Sequence, residues 1–222
     1  MLDCVMAKAR GVSTPKHIVS STDYVTIITS DAAPPVFYVQ QILDHIDAVV
    51  RPALRKYLAA EQVLTDARNS EHADVARQDV MLAARQAVDV LHHLSDFVFK
   101  EPSPALTLKT IEDVRNAVQA MCVFLRTNQP VSDVGLLRDV ADAFKHHRPD
   151  RSSARILVST DVVPIGSGWG QMRWGEGKYG GVEQVIISTK DGDKRALSSV
   201  LQNVFDAWMT LLRQPLSPIG QY

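Results

Sequence analysis

Arg138, Asp142, Lys145 and His146 fall within a segment whose apolar residues, Leu136, Leu137, Val140, Ala141 and Phe144, repeat at helical spacing. The steps gather the four polar residues on one helix face, roughly opposite Leu137, Val140 and Phe144. Arg138 and Asp142 are an i, i+4 pair, and so are Asp142 and His146. A guanidinium, a carboxylate and an imidazole on one face can hold a phosphate and move a proton on it. In that chemistry Arg138 stabilises the phosphorane charge, His146 is the general acid–base and Asp142 orients the imidazole. These residue types also describe a solvated, salt-bridged outer face, worth on the order of a few tenths of a kcal/mol per pair.

The basic character continues into Lys145-His146-His147-Arg148-Pro149-Asp150-Arg151-Ser152-Ser153-Ala154-Arg155. Lys145, His147, Arg148 and Arg151 are the candidate phosphate or RNA contacts, while cations at a helix C-terminus also suit the helix dipole. A third candidate is the glycine-rich stretch 166–181, in which Trp169, Trp174 and Tyr179 fall five apart, each followed by glycine. A step of five keeps neither one strand face nor one helix face, which predicts a bent ribbon. Its aromatics can stack bases, dock a protein partner or fold back over the core. His92-His93 is an adjacent pair, so its two rings cannot meet one metal from one helix side. No zinc-ligand spacing, phosphate-binding loop or nucleophile elbow occurs in the sequence, and neither a metal nor another cofactor is expected.

The elements that must position these groups are legible as changes of period. Residues 1–33 read as an N-terminal arm, with Tyr24–Thr29 as a short strand. Pro34-Pro35 opens an amphipathic helix in which Pro52 predicts a kink or break near Val49–Val50. Ser70 is the expected N-cap of a second helix, with the stripe Val80, Ala84, Val88, Leu91, Leu94 and Val98. Thr110 and Asp113 form a capping box for a third helix, expected to end at Asn128-Gln129-Pro130. The fourth follows Ser132 and closes at His147-Arg148-Pro149. Beyond it, 156–163 and 184–189 read as strands, and Asp191-Gly192 as a hairpin turn into Lys194–Leu197. A last helix spans 198–213, with a loose tail after it. The expectation is one domain over 1–222 of α+β class, mostly α. It has a four-helix body (34–148), a small antiparallel β insertion (154–197) and a closing C-terminal helix.

Composition narrows the function classes. The 24 Lys and Arg nearly balance 25 Asp and Glu, giving a net charge of −1, so global charge makes no case for a nucleic-acid coat or a membrane-surface protein. No apolar run reaches the roughly 18–20 residues of a membrane span. Met1–Gly11 lacks an apolar signal core, and two cysteines, Cys4 and Cys122, make no disulfide framework. A cytoplasmic protein with no membrane contact is expected. The β-branched Tyr24–Thr29 segment and the tryptophan ribbon together predict a homo-oligomer, most simply a two-fold dimer.

Asp139-Val140-Ala141-Asp142-Ala143-Phe144-Lys145-His146 resembles the D-x-A-N-x-x-K-H helix of uncharacterised bacterial proteins, with Asp142 at the Asn position. In those proteins a glycine/aromatic repeat, a D-G hairpin and a tryptophan-bearing last helix follow, as Trp169, Trp174, Tyr179, Asp191-Gly192 and Trp208 do here. That resemblance implies no activity. More distantly, the helical half is similar to the HEPN group, helical bundles of which many are metal-independent RNases acting as dimers. Their signature is an Arg with a His four to six residues beyond, whereas seven residues separate Arg138 from His146. Arg10 to His17 and Arg85 to His92 have the allowed spacing. Two functions are therefore expected: a non-catalytic cytosolic binding or interaction module, or a HEPN-like metal-independent RNA endonuclease of a defence or toxin system. The second would use Arg138, Asp142 and His146.

Overall fold

The computed structural model describes residues 36–67, 69–100, 108–124, 127–165 and 183–219. The expected N-terminal arm with its strand, and Trp169, Trp174 and Tyr179, lie outside these residues. Within them the chain is α+β and mostly α, as the periodicities predict.

Helix α1 (Val36–His45) runs through a π-helical turn (Ile46–Val50) into α2 (Arg51–Ala67). At the end of that turn the Arg51 N–H donates to the Ile46 carbonyl, five residues back. Pro52 explains the turn: it has no N–H, and its ring would crowd the carbonyl four residues earlier in a regular helix. The helix widens rather than breaks. Helix α3 (Ala73–Lys100) returns antiparallel along α2, with Lys56 Nζ donating to Gln86 Oε1 at 3.3 Å across the seam. Ser70 does not cap α3 directly. Its hydroxyl bridges the preceding turn, accepting from His72 N at 3.2 Å and donating to the Ala67 carbonyl at 2.9 Å.

Helix α4 (Ile111–Met121) starts at the capping box. Asp113 N donates to Thr110 Oγ1 at 3.1 Å, and Thr110 N donates to Asp113 Oδ2 at 2.8 Å. The helix stops earlier than expected, at a two-residue antiparallel pair of strands, β1 (Val123–Phe124) and β2 (Gln129–Pro130), joined through Asn128 at φ 52°. Asn128-Gln129-Pro130 thus closes a hairpin, where only a helix end was expected. Helix α5 (Asp133–His146) follows.

The expected strand at 156–163 begins only at Val162. Before it, Asp161 Oδ2 accepts from the N–H groups of Leu157 and Val158 at 2.9 and 3.0 Å, which holds the chain in a 3₁₀ turn (Ser159–Asp161). The sheet is then an antiparallel meander of β3 (Val162–Ile165), β4 (Gln184–Ser188) and β5 (Lys194–Ala196), with β4 central. Val162 pairs with Ile187, and Ile187 with Arg195. The turn after β4 is the expected one: Gly192 sits at φ +85° and its N–H donates to the Thr189 carbonyl at 2.9 Å. Helix α6 (Leu197–Leu211) packs on β4, α4 and α5, and buries Trp208 and Phe205. The tail through Ile219 is docked rather than loose. Gln202 Nε2 donates to the Ser217 carbonyl, and the Ile219 N–H donates to Gln202 Oε1. Among the described residues no helix is long and apolar enough to cross a membrane.

Candidate functional site

Helix α5 carries its polar residues as the spacing requires, but their partners come from elsewhere. Asp142 Oδ2 accepts from Arg151 Nε at 3.0 Å and Nη2 at 2.7 Å, and Arg151 Nη2 also reaches Asp139 Oδ1 at 2.9 Å. Asp139 Oδ2 accepts from the Arg155 N–H at 3.0 Å and from Arg155 Nε at 3.3 Å. Arg155 then donates to Ser132 Oγ at 2.7 Å and to the Ser132 carbonyl at 2.8 Å. Gly135 leaves room for this, since a Cβ there would lie 3.3 Å from Arg155 Nη2. The result is a two-aspartate, two-arginine clasp that ties 151–155 to α5. Asp139 is only 3% exposed, and the clasp makes its burial tolerable.

The other candidates scatter. Arg138 turns to α4, with its Nη1 3.3 Å from Glu112 Oε2. Lys145, His146 and Arg148 are exposed at the end of α5, and no hydrogen bond or ion pair among the described residues joins His146 to Asp142. His147 ends the helix at φ 64°, a conformation costly for a residue with a Cβ. Two contacts to one residue hold it there. Its Nδ1 lies 2.7 Å from Ser159 Oγ, and its carbonyl accepts from Ser159 N at 2.8 Å. Arg138, Asp142 and His146 are thus on one helix without being one constellation, and Arg151 and His147 are both tied into the fold.

A different set of groups converges where α3, α4 and α5 meet over Trp208. His92 and Ser95 from α3, Arg115 from α4 and Arg138 from α5 line a crevice with room for about one water molecule. Glu112 Oε2 bridges the two guanidiniums loosely, 3.3 Å from Arg138 Nη1 and 3.7 Å from Arg115 Nη1. Asp96 lies 4.0 Å from Arg115 on its other side. These separations exceed the ~2.7–2.9 Å of a tight charge-assisted hydrogen bond. Arg115 Nε is buried with no acceptor. Burial, and then the Arg115 and His93 charges, push the His92 imidazole down to about 4 against the opposing pull of Asp142 and Asp96. His92 is therefore neutral at pH 7, next to two permanent cations.

Chemically, the crevice offers two guanidiniums, a neutral imidazole and a serine hydroxyl, a donor-rich lining suited to an anion. Among the described residues no cluster of three metal-ligating side chains occurs. Cys122, beside buried Asp133, is held up at about 12 by burial, so its thiol stays protonated and unreactive. Sequence reasoning noticed His92 only through its neighbour His93 and its spacing from Arg85, and missed Arg115. Three separate helices bring the lining together, and no local spacing encodes that.

No protein-family model, curated protein or solved structure matches this chain.

Proposed function

We propose that the protein is a non-catalytic, cytosolic binding module. The observation that carries this reading is the clasp on α5. Asp142, the carboxylate that would orient a catalytic imidazole, is held by Arg151, and Arg151 and Arg155 share Asp139. A general acid–base needs a partner that fixes its orientation and tautomer, and His146 has lost that partner to a structural contact. Self-association belongs to the same reading. Val75 and Leu82, seven residues apart on α3, and Val63 on α2 are exposed apolar side chains on the helical hairpin.

The HEPN-like RNase is the second reading, and one observation favours it. Arg138 shares its crevice with His92, and Asp142 acts electrostatically on that imidazole. In this version His92 takes the role first given to His146, accepting the proton of the attacking hydroxyl. RNA cleavage in EDTA separates the two readings, using several RNAs with wild type, Arg138→Ala, His92→Ala and His146→Ala, each checked for folding by circular dichroism. The module reading expects no cleavage by any of the four. Cleavage by wild type that disappears in folded Arg138→Ala and His92→Ala overturns it.

A further inference from the structure

Arg115 and Arg138 stand on different helices, and both lean on one carboxylate oxygen that neither holds tightly. Two other arginine–carboxylate pairs close to 2.7 Å, Arg151–Asp142 and Arg195–Asp133, although Arg155 Nε stands 3.3 Å from Asp139. Glu112 itself is 55% exposed and free to swing away. One further donor lacks an acceptor. Arg115 Nε is buried and unpaired. Ser95, on α3, also lines the crevice. A buried donor without an acceptor costs about 1–3 kcal/mol, so an acceptor entering here meets a guanidinium nitrogen that is already desolvated.

We propose that the two guanidiniums of this crevice form an oxyanion site for a phosphate group, with Glu112 as an internal competitor that engages them when no ligand is present. The proposal rests on the module reading and adds the site and ligand class to it. The donors come from α3, α4 and α5 and so are not coplanar. A planar carboxylate can be satisfied by a single guanidinium fork, whereas a tetrahedral group presents oxygens in several directions at once. Ligand phosphate takes the place of the Glu112 carboxylate on the two guanidiniums, at the mouth of the crevice. His92, neutral at pH 7, contributes one ring N–H and no charge. Trp208 closes the inner side, which keeps the arginines from being screened there.

Isothermal titration calorimetry at pH 7.5 and low salt tests this, with inorganic phosphate, phosphoserine as a monoester, and acetate as a planar control. Inorganic phosphate or phosphoserine should bind wild type, and acetate more weakly than either. Glu112→Gln removes the competitor and should tighten phosphate about tenfold, while Arg138→Gln should weaken it about tenfold or more. Phosphoserine binding above inorganic phosphate assigns the site to a phosphorylated molecule, and the reverse order to the free ion. The proposal is overturned by an absence of phosphate heat with folded wild type and Glu112→Gln. Affinities unmoved by both substitutions, or acetate binding as tightly as phosphate, overturn it equally. None of these failures touches the module reading, which stands or falls on RNA cleavage.

Discussion

Asp206 is a carboxylate that the fold places at a disadvantage. It lies on α6, 5% exposed, with Oδ1 accepting from Gln202 Nε2 at 2.9 Å and Oδ2 buried without a partner. Burial raises its pKa from the ordinary 3.8 to about 6, against the opposing effect of the Gln202 hydrogen bond. Because the folded pKa lies above the unfolded one, the folded protein binds the extra proton between those values. Stability from this group is then complete below about pH 4 and is lost as pH rises through 6. Two pKa units at ~1.4 kcal/mol each give about 3 kcal/mol of lost stability at pH 8. Asp206→Asn supplies a permanently neutral group of nearly the same shape that still accepts from Gln202. Urea denaturation followed by tryptophan fluorescence should show the variant within ~0.5 kcal/mol of wild type at pH 4 and about 3 kcal/mol more stable at pH 8. A stability difference that is the same at both pH values would refute the reasoning, because the penalty would then not be that of a buried charge.

Other consequences follow from the packing. Asp139→Ala opens the clasp and should cost about 2–3 kcal/mol, below the ~3–5 of a fully buried pair because Arg151 and Arg155 are 31% and 27% exposed. A thermal melt should read that as a drop of roughly 4–12 °C, and an unchanged melt would make the clasp ornamental. In a Cys4→Ser variant, Cys122 should resist thiol reagents in the native protein and react fully in denaturant; rapid native labelling of that variant would contradict its burial. Sedimentation at tens of micromolar should show a dimer, and Leu82→Glu should shift it toward monomer. A monomeric wild type would remove self-association from the proposed function.

The parts of the fold that were legible in the sequence are those encoded within a few residues. Thr110 and Asp113 satisfy each other across one helical turn, Asp191-Gly192 supplies its own positive φ, and Pro52 imposes its strain on the turn just before it. Each is a local constraint that no neighbour can easily override. The strand expected from Ile156 failed for a reason of the same kind acting in competition. Asp161 offered the N–H groups of Leu157 and Val158 a side-chain acceptor, and they took it instead of a neighbouring strand. The site was less legible because its pairings are not periodic. Asp142 is four residues from both Arg138 and His146, yet it pairs with Arg151, nine residues on, after the chain has turned at His147. Nothing in the helix pattern states that a following loop will fold back. The crevice is harder still, since Arg115 and His92 are brought to Arg138 only by the packing of α3, α4 and α5.

Under the phosphate proposal, ligand is recognised in that crevice rather than at the basic end of α5, and histidine ring signals can tell the two apart. His92 reports the crevice, while His146 and His147 report the helix end. Proton–carbon NMR of the imidazoles, followed through a titration with inorganic phosphate at constant pH and ionic strength, should move the His92 signals saturably and leave those of His146 and His147 in place. Saturable shifts at His146 and His147 with His92 unmoved would contradict the account.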